Sequence, residues 1–61
     1  MRAKDELITE INTRRIARNE HTYTLSFTEL SSILLYINET FKYTGYSLEV
    51  LNNEVKLTIP V

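Results

Sequence analysis

One stretch constrains the fold more than any other. Ser26 to Gly45 carries both marks of a helix boundary, with an unbroken apolar stripe between them. Ser26 and Glu29 have capping-box spacing. The hydroxyl can accept the backbone N–H three residues on, and the carboxylate can reach back to the N–H of Ser26. Leu25 and Leu30 have the spacing of a hydrophobic staple. Gly45 is the only glycine of the chain, placed where a helix stop needs positive φ. Phe27, Leu30, Ile33, Leu34, Ile37 and Phe41 recur at helical spacing and predict one buried face. No proline interrupts them.

The chain before this stretch divides in two. Residues 3 to about 18 predict a first helix, with Ala3, Leu7 and Ile11 on one face and Ile8 flanking them. Asp5 and Glu6 in its first turn, and Arg14, Arg15 and Arg18 in its last, suit the macrodipole. Glu10 and Arg14 form a favourable pair four residues apart. The pattern then breaks. The Leu7–Ile11 line continues into Arg14 and Arg18, while Ile16 falls on the opposite side. Asn19 to His21 form a connection, with His21 expected as a solvated loop residue. Thr22 to Phe27 alternates, with Tyr23, Leu25 and Phe27 pointing one way, and predicts a half-buried strand leading into the capped helix.

Behind Gly45 the pattern is that of a hairpin. Tyr46 to Leu51 and Glu54 to Val61 flank Asn52 and Asn53, which tolerate the positive φ expected of a two-residue turn. Counting outward sets Val50 against Val55, Glu49 against Lys56, Leu48 against Leu57, Ser47 against Thr58 and Tyr46 against Ile59. Every apolar pair then shares one face, and an opposite-charge pair lies on the other. Pro60 lacks an N–H and ends the last strand or marks an edge. The expected fold class is therefore α+β, in the order α-β-α-β-β, as a single domain over residues 1–61. Its three-stranded sheet packs on the central helix, and the N-terminal helix either covers the core or dimerises. The first and second strands run parallel if the crossover between them is right-handed; strand order stays open.

Size decides what such a chain must add. A domain of 61 residues buries only about 60% of its unfolded surface, and small domains compensate with disulfides, metal or association. Cysteine is absent and there is one histidine, so disulfides and thiolate metal sites are excluded and a zinc site lacks ligands. Association remains. The titratable groups show no convergent acid–base or nucleophilic pattern and there is no glycine-rich phosphate loop, so no enzyme, cofactor or small-molecule substrate is expected. The longest apolar run, Ile33 to Ile37, is too short for a membrane span. An N-terminus of alternating charge without an apolar core segment argues for cytoplasmic residence.

Two surfaces stand out. Arg14, Arg15 and Arg18 could meet phosphate or form ion pairs across a protein interface. Residues 1–21 carry five basic and four acidic side chains, and residues 22–61 carry two and four, a balance that argues against nucleic acid. On the back of the central helix lie Leu35, Tyr36 and Tyr43, beside Glu39. Tyrosine suits interfaces because its body is apolar and its hydroxyl is wet. The expected interface thus comprises Leu7, Ile8, Ile11, Arg14, Arg15, Arg18, Leu35, Tyr36, Glu39 and Tyr43. Joined across a two-fold axis with Tyr36 near the centre, it would make a homodimer. The function expected is that of a non-catalytic module binding an unidentified protein. Scarce Ala, Gly and Pro beside plentiful Ile, Asn and Thr suggest a bacterial or phage source, as for an inhibitor or adaptor of a host protein. The alternative is a small DNA-binding regulator, because helix, strand, helix and terminal hairpin are similar in order to a winged-helix domain. That likeness lacks the turn that would split the central stretch into two helices.

Overall fold

The computed structural model describes residues 2–60. Its elements are α1 (Lys4–Ala17), β1 (Thr22–Ser26), α2 (Phe27–Thr40), β2 (Ser47–Val50) and β3 (Glu54–Thr58). The order is the one expected. The sheet is antiparallel with strand order β1-β3-β2. The last strand therefore lies in the middle, and β1 and β2 run in the same direction on either side of it. Both helices lie on one face of the sheet: α2 packs on β1 and β3, and α1 packs on α2. No helix among the described residues is long and apolar enough to cross a membrane.

The capping box is formed in full. Ser26 Oγ accepts the N–H of Glu29 at 3.1 Å, and Glu29 Oε1 accepts the N–H of Ser26 at 2.9 Å. Ser26 serves as the last residue of β1 and the N-cap of α2 at once, so strand and helix join without a loop. We expect Ser26→Ala to lower stability by ~1 kcal/mol, since one helix-terminal N–H loses its acceptor. An unchanged midpoint in chemical denaturation would reject that role.

The far end of α2 differs from expectation. The helix stops at Thr40, with Phe41 as C-cap, and residues 42–44 form a turn. Phe41 swings into the core there instead of continuing the helix. Gly45 has φ +87° and donates its N–H to Phe41 O at 2.7 Å, so it closes this turn after the helix and not the helix itself. The buried face is also rotated. Ile33, Ile37 and Phe41 are enclosed as expected, but Phe27 and Leu34 are 46% and 40% exposed. Their place is taken by Glu29, one turn before Ile33 on the same line. The rotation follows from α1, whose Leu7 and Ile11 complete the core with Tyr23, Leu25, Leu57 and Ile59.

α1 therefore covers its own chain. Leu7 and Ile11 are fully buried, and Ile8 packs against them. Ala3 is the exposed N-cap and does not join their face. Ile16 is exposed, as its position on the opposite side required. The helix ends through Asn19, whose φ of 55° places it in the left-handed region that Asn tolerates.

The hairpin register is the expected one from Val50–Val55 to Ser47–Thr58. It ends one pair short of Tyr46–Ile59, and Ile59 donates its N–H to His21 O beside β1 at 2.8 Å. The turn itself differs. Among the described residues only Asn19 and Gly45 have positive φ, so Asn52 and Asn53 turn the chain without it. Val61, the expected end of the last strand, lies outside the described residues.

The larger correction is on the sheet. Leu48 and Val50 share the face of Leu57 and Val55, yet β2 has no buried residue. α2 crosses over β1 and β3 and stops short of β2. One expected stripe of the core is thus open, and Val50 is 70% exposed.

Candidate functional site

The ten residues expected at an interface separate into three groups. Leu7 and Ile11 are fully buried inside the chain, and Ile8 packs against the same core. Tyr36 follows them. It is half-buried, its hydroxyl accepts from Asn12 Nδ2 at 3.0 Å, and its ring meets Phe41 edge-on at 6.5 Å. α1 thus supplies a hydrogen-bond partner for Tyr36 from the same chain. Leu35, Glu39 and Tyr43 remain exposed, Tyr43 at 93% with the ammonium of Lys42 over its ring.

The arginines do not form one patch. Arg14 lies over Tyr23, its Cζ 5.0 Å from the ring centre, and binds the Glu20 carboxylate through Nε and Nη2 at 3.2 and 3.3 Å. Hydrogen bonding to Arg14 holds the Glu20 carboxyl below its ordinary range, and the same bond raises the guanidinium further. This answers the oddity in the α1 pattern. Arg14 falls on the apolar line because its planar head stacks on a buried tyrosine while its donors reach a carboxylate. Arg15 lies over Phe41 at 5.3 Å and donates to Asn12 Oδ1. Arg18 is exposed at the end of α1.

A polar centre that sequence reasoning missed lies at the start of α2. Glu29 is 7% exposed, the one buried charged residue among those described. Besides capping Ser26, its carboxylate accepts the backbone N–H of Arg2 at 3.0 Å and Arg2 Nε at 3.1 Å. Arg2 also binds Glu10, so α1, α2 and the N-terminal segment meet there. The Arg2 side chain, then the N–H groups of Ser26 and Arg2, outweigh desolvation and hold the Glu29 carboxyl down at about 2. The capping spacing was a visible signal for one of these bonds. Nothing local marks Arg2 as the partner.

Two concavities complete the surface. One of about 220 Å³ lies between the end of α1 and the C-terminal segment and includes Arg15, His21 and Thr44. His21 is half-buried here, not solvated as expected. Arg15 Nε and His21 Nδ1 lack a partner among the described residues, but both are walled off by protein and out of reach of an occupant. The other, about 490 Å³, is an apolar groove between α2 and β2, lined by Leu34, Leu35, Asn38, Tyr46 and Leu48. Tyr46 anchors its wall by donating to Asn38 Oδ1 at 3.1 Å. Val50 continues the groove's apolar surface along the strand.

These features define a small two-layer α+β domain with one side of its sheet left uncovered at the helical face. The chain matches no protein-family model, no curated protein and no solved structure.

Proposed function

We propose that this protein is a small non-catalytic binding module that works through protein–protein contact, as a homodimer, on a second protein. The observation that carries this reading is the apolar groove in which Leu34, Leu35 and Leu48 lie together, with Val50 exposed on the same face of the strand. Exposed apolar side chains are common singly, but a contiguous patch marks a place of contact. Leu35, Glu39 and Tyr43 follow one another along the outer side of α2 and its following turn, and they are the residues we assign to the target protein. An inhibitor or adaptor encoded by a phage or mobile element suits the size and composition of the chain. A cytoplasmic setting is part of the reading.

The test is retention of a protein from a lysate of the native host by the immobilised wild type. Loss of that protein with Leu35→Asp and Tyr43→Asp, both at exposed positions, is the expected result. Equal retention by the variants would remove α2 from the contact.

The competing reading, a winged-helix-like DNA-binding regulator, finds less support. Arg2 and Arg14 are engaged by carboxylates, and α2 is one uninterrupted helix with Glu39 on its outer side. We expect no retardation of duplex DNA at physiological salt, because the few free cations give at most a weak, salt-sensitive contact. Sub-micromolar, sequence-dependent retardation would reverse this ranking.

A further inference from the structure

The two edges of the sheet are finished differently. On β1, the bond from Ile59 N–H to His21 O sets the alternation. Tyr23 and Leu25 turn their backbone groups to β3, and Thr22 and Thr24 turn theirs outward. Those outward carbonyls are occupied: Thr22 O accepts from Arg14 Nη2 and Thr24 O from Arg2 Nη2, each at 3.4 Å. On β2, the bond from Leu51 N–H to Glu54 O sets the alternation. Ser47 and Glu49 then turn to β3, while Leu48 and Val50 face outward. No hydrogen bond among the described residues reaches the outward groups of Leu48 or Val50. β1 is guarded by two guanidinium groups. β2 is bare and flanked by the apolar groove, and an unpaired edge of this kind is a template for strand addition.

We propose that β2 pairs with β2 of a second copy, antiparallel across a two-fold axis at Leu48, to give one continuous six-stranded sheet. This rests on the homodimer reading above and names its interface. The occupant follows from self-complementarity. A pairing shifted to an odd offset would set Leu48 against Glu49 and bring the apolar face of one copy onto the polar face of the other. Centring on Glu49 would place two carboxylates directly opposite each other. Centring on Ser47 would set Glu49 against Gly45 and Val50 against Thr44, both outside the strand, whereas centring on Leu48 reaches only Tyr46, the residue next to it. Centring on Leu48 sets Leu48 against Leu48, Tyr46 against Val50 and Ser47 against Glu49. Outward backbone groups then meet outward groups, and each Glu49 keeps its ion pair with Lys56 at 3.2 Å.

The area required extends beyond the strand edge. A stable interface covers about 800 Å² per partner, a large share of the chain's 4150 Å². Four residues of strand edge are too few to supply it. A two-fold axis perpendicular to the sheet keeps both helical layers on one side, so the two grooves merge. Leu34 and Tyr46 of each copy then close over the seam with Leu48 and Val50.

The chain has no cysteine, so one introduced thiol reads the register directly. Opposed residues of an antiparallel pair lie within disulfide reach, and residues two positions out of register do not. We expect Leu48→Cys to form a covalent dimer under mild oxidation and Glu49→Cys to stay reduced. Light scattering of the wild type at tens of micromolar should give a dimer. Leu48→Pro should weaken it by on the order of 100-fold with unchanged far-UV circular dichroism, because the N–H removed points away from β3. Val50→Lys is the second variant, should the proline variant not fold. Cross-linking at Glu49 and not at Leu48 overturns the register. A wild-type dimer indifferent to Val50→Lys, with no cross-link at Leu48, overturns the interface and leaves the homodimer standing. A monomeric wild type overturns both, while target retention through Leu35 and Tyr43 is decided separately.

Discussion

Ile33→Ala will leave a large fraction of the chain unfolded at 25 °C. Ile33 is wholly enclosed between α1, α2 and the sheet. Truncating a buried isoleucine costs about 2–5 kcal/mol, from lost transfer energy and the cavity left behind. A single core of this size supplies only about 3–5 kcal/mol of net stability, so the two magnitudes nearly cancel. Phe27→Ala provides the contrast. Sequence periodicity puts Phe27 and Ile33 on one face, but Phe27 is half exposed, and its truncation should cost on the order of 1 kcal/mol. Circular dichroism and urea denaturation of the two variants separate them. Equal losses would mean that the core line does not run through Glu29, Ile33 and Ile37.

The second large effect is with pH. A glutamate in an unfolded chain titrates near 4.3, and Glu29 in the folded chain titrates at about 2. Its pKa is depressed on folding, so its contribution is complete above the unfolded value and disappears as pH falls toward the folded one. The difference corresponds to about 3 kcal/mol at neutral pH, present above pH ~5 and lost by pH ~2. Glu29→Gln keeps a side chain that can accept from the Ser26 N–H and removes the charge that Arg2 meets. We expect the variant to be less stable than the wild type by roughly 2–3 kcal/mol at pH 7. The gap should close as both are acidified. A gap that stays constant from pH 7 to 2.5 would show that the carboxylate charge contributes nothing and that only its shape is used.

The second prediction depends on Glu29, and that residue shows where sequence reasoning stops. The spacing from Ser26 announces a capping glutamate, because a capping box is a contact between residues three apart. Arg2 reaches the same carboxylate across 27 residues of chain, and no periodicity records such a meeting. The arginine pattern of α1 is similar. Arg14 on an apolar line looked like a break in the helix's apolar pattern, and it became intelligible once the ring of Tyr23 lay beneath it.

What the chain determines by itself is local. Helix and strand identity, the cap at Ser26, the positive φ at Gly45 and the hairpin register all follow from contacts within a few residues or across one tight turn. In each case the side-chain period or a single hydrogen bond selects one conformation. Tertiary structure decided which strand lies in the middle of the sheet and how far α2 is rotated about its axis. It also decided whether α1 turns inward and which apolar stripe stays open. These depend on how three layers of side chains compete for one small core. Leu34, Leu48 and Val50 are as apolar as Ile33, Leu57 and Val55, and periodicity treats them alike. α1 and α2 cover only the width of two strands, so β2 is left at an edge with its apolar side chains uncovered.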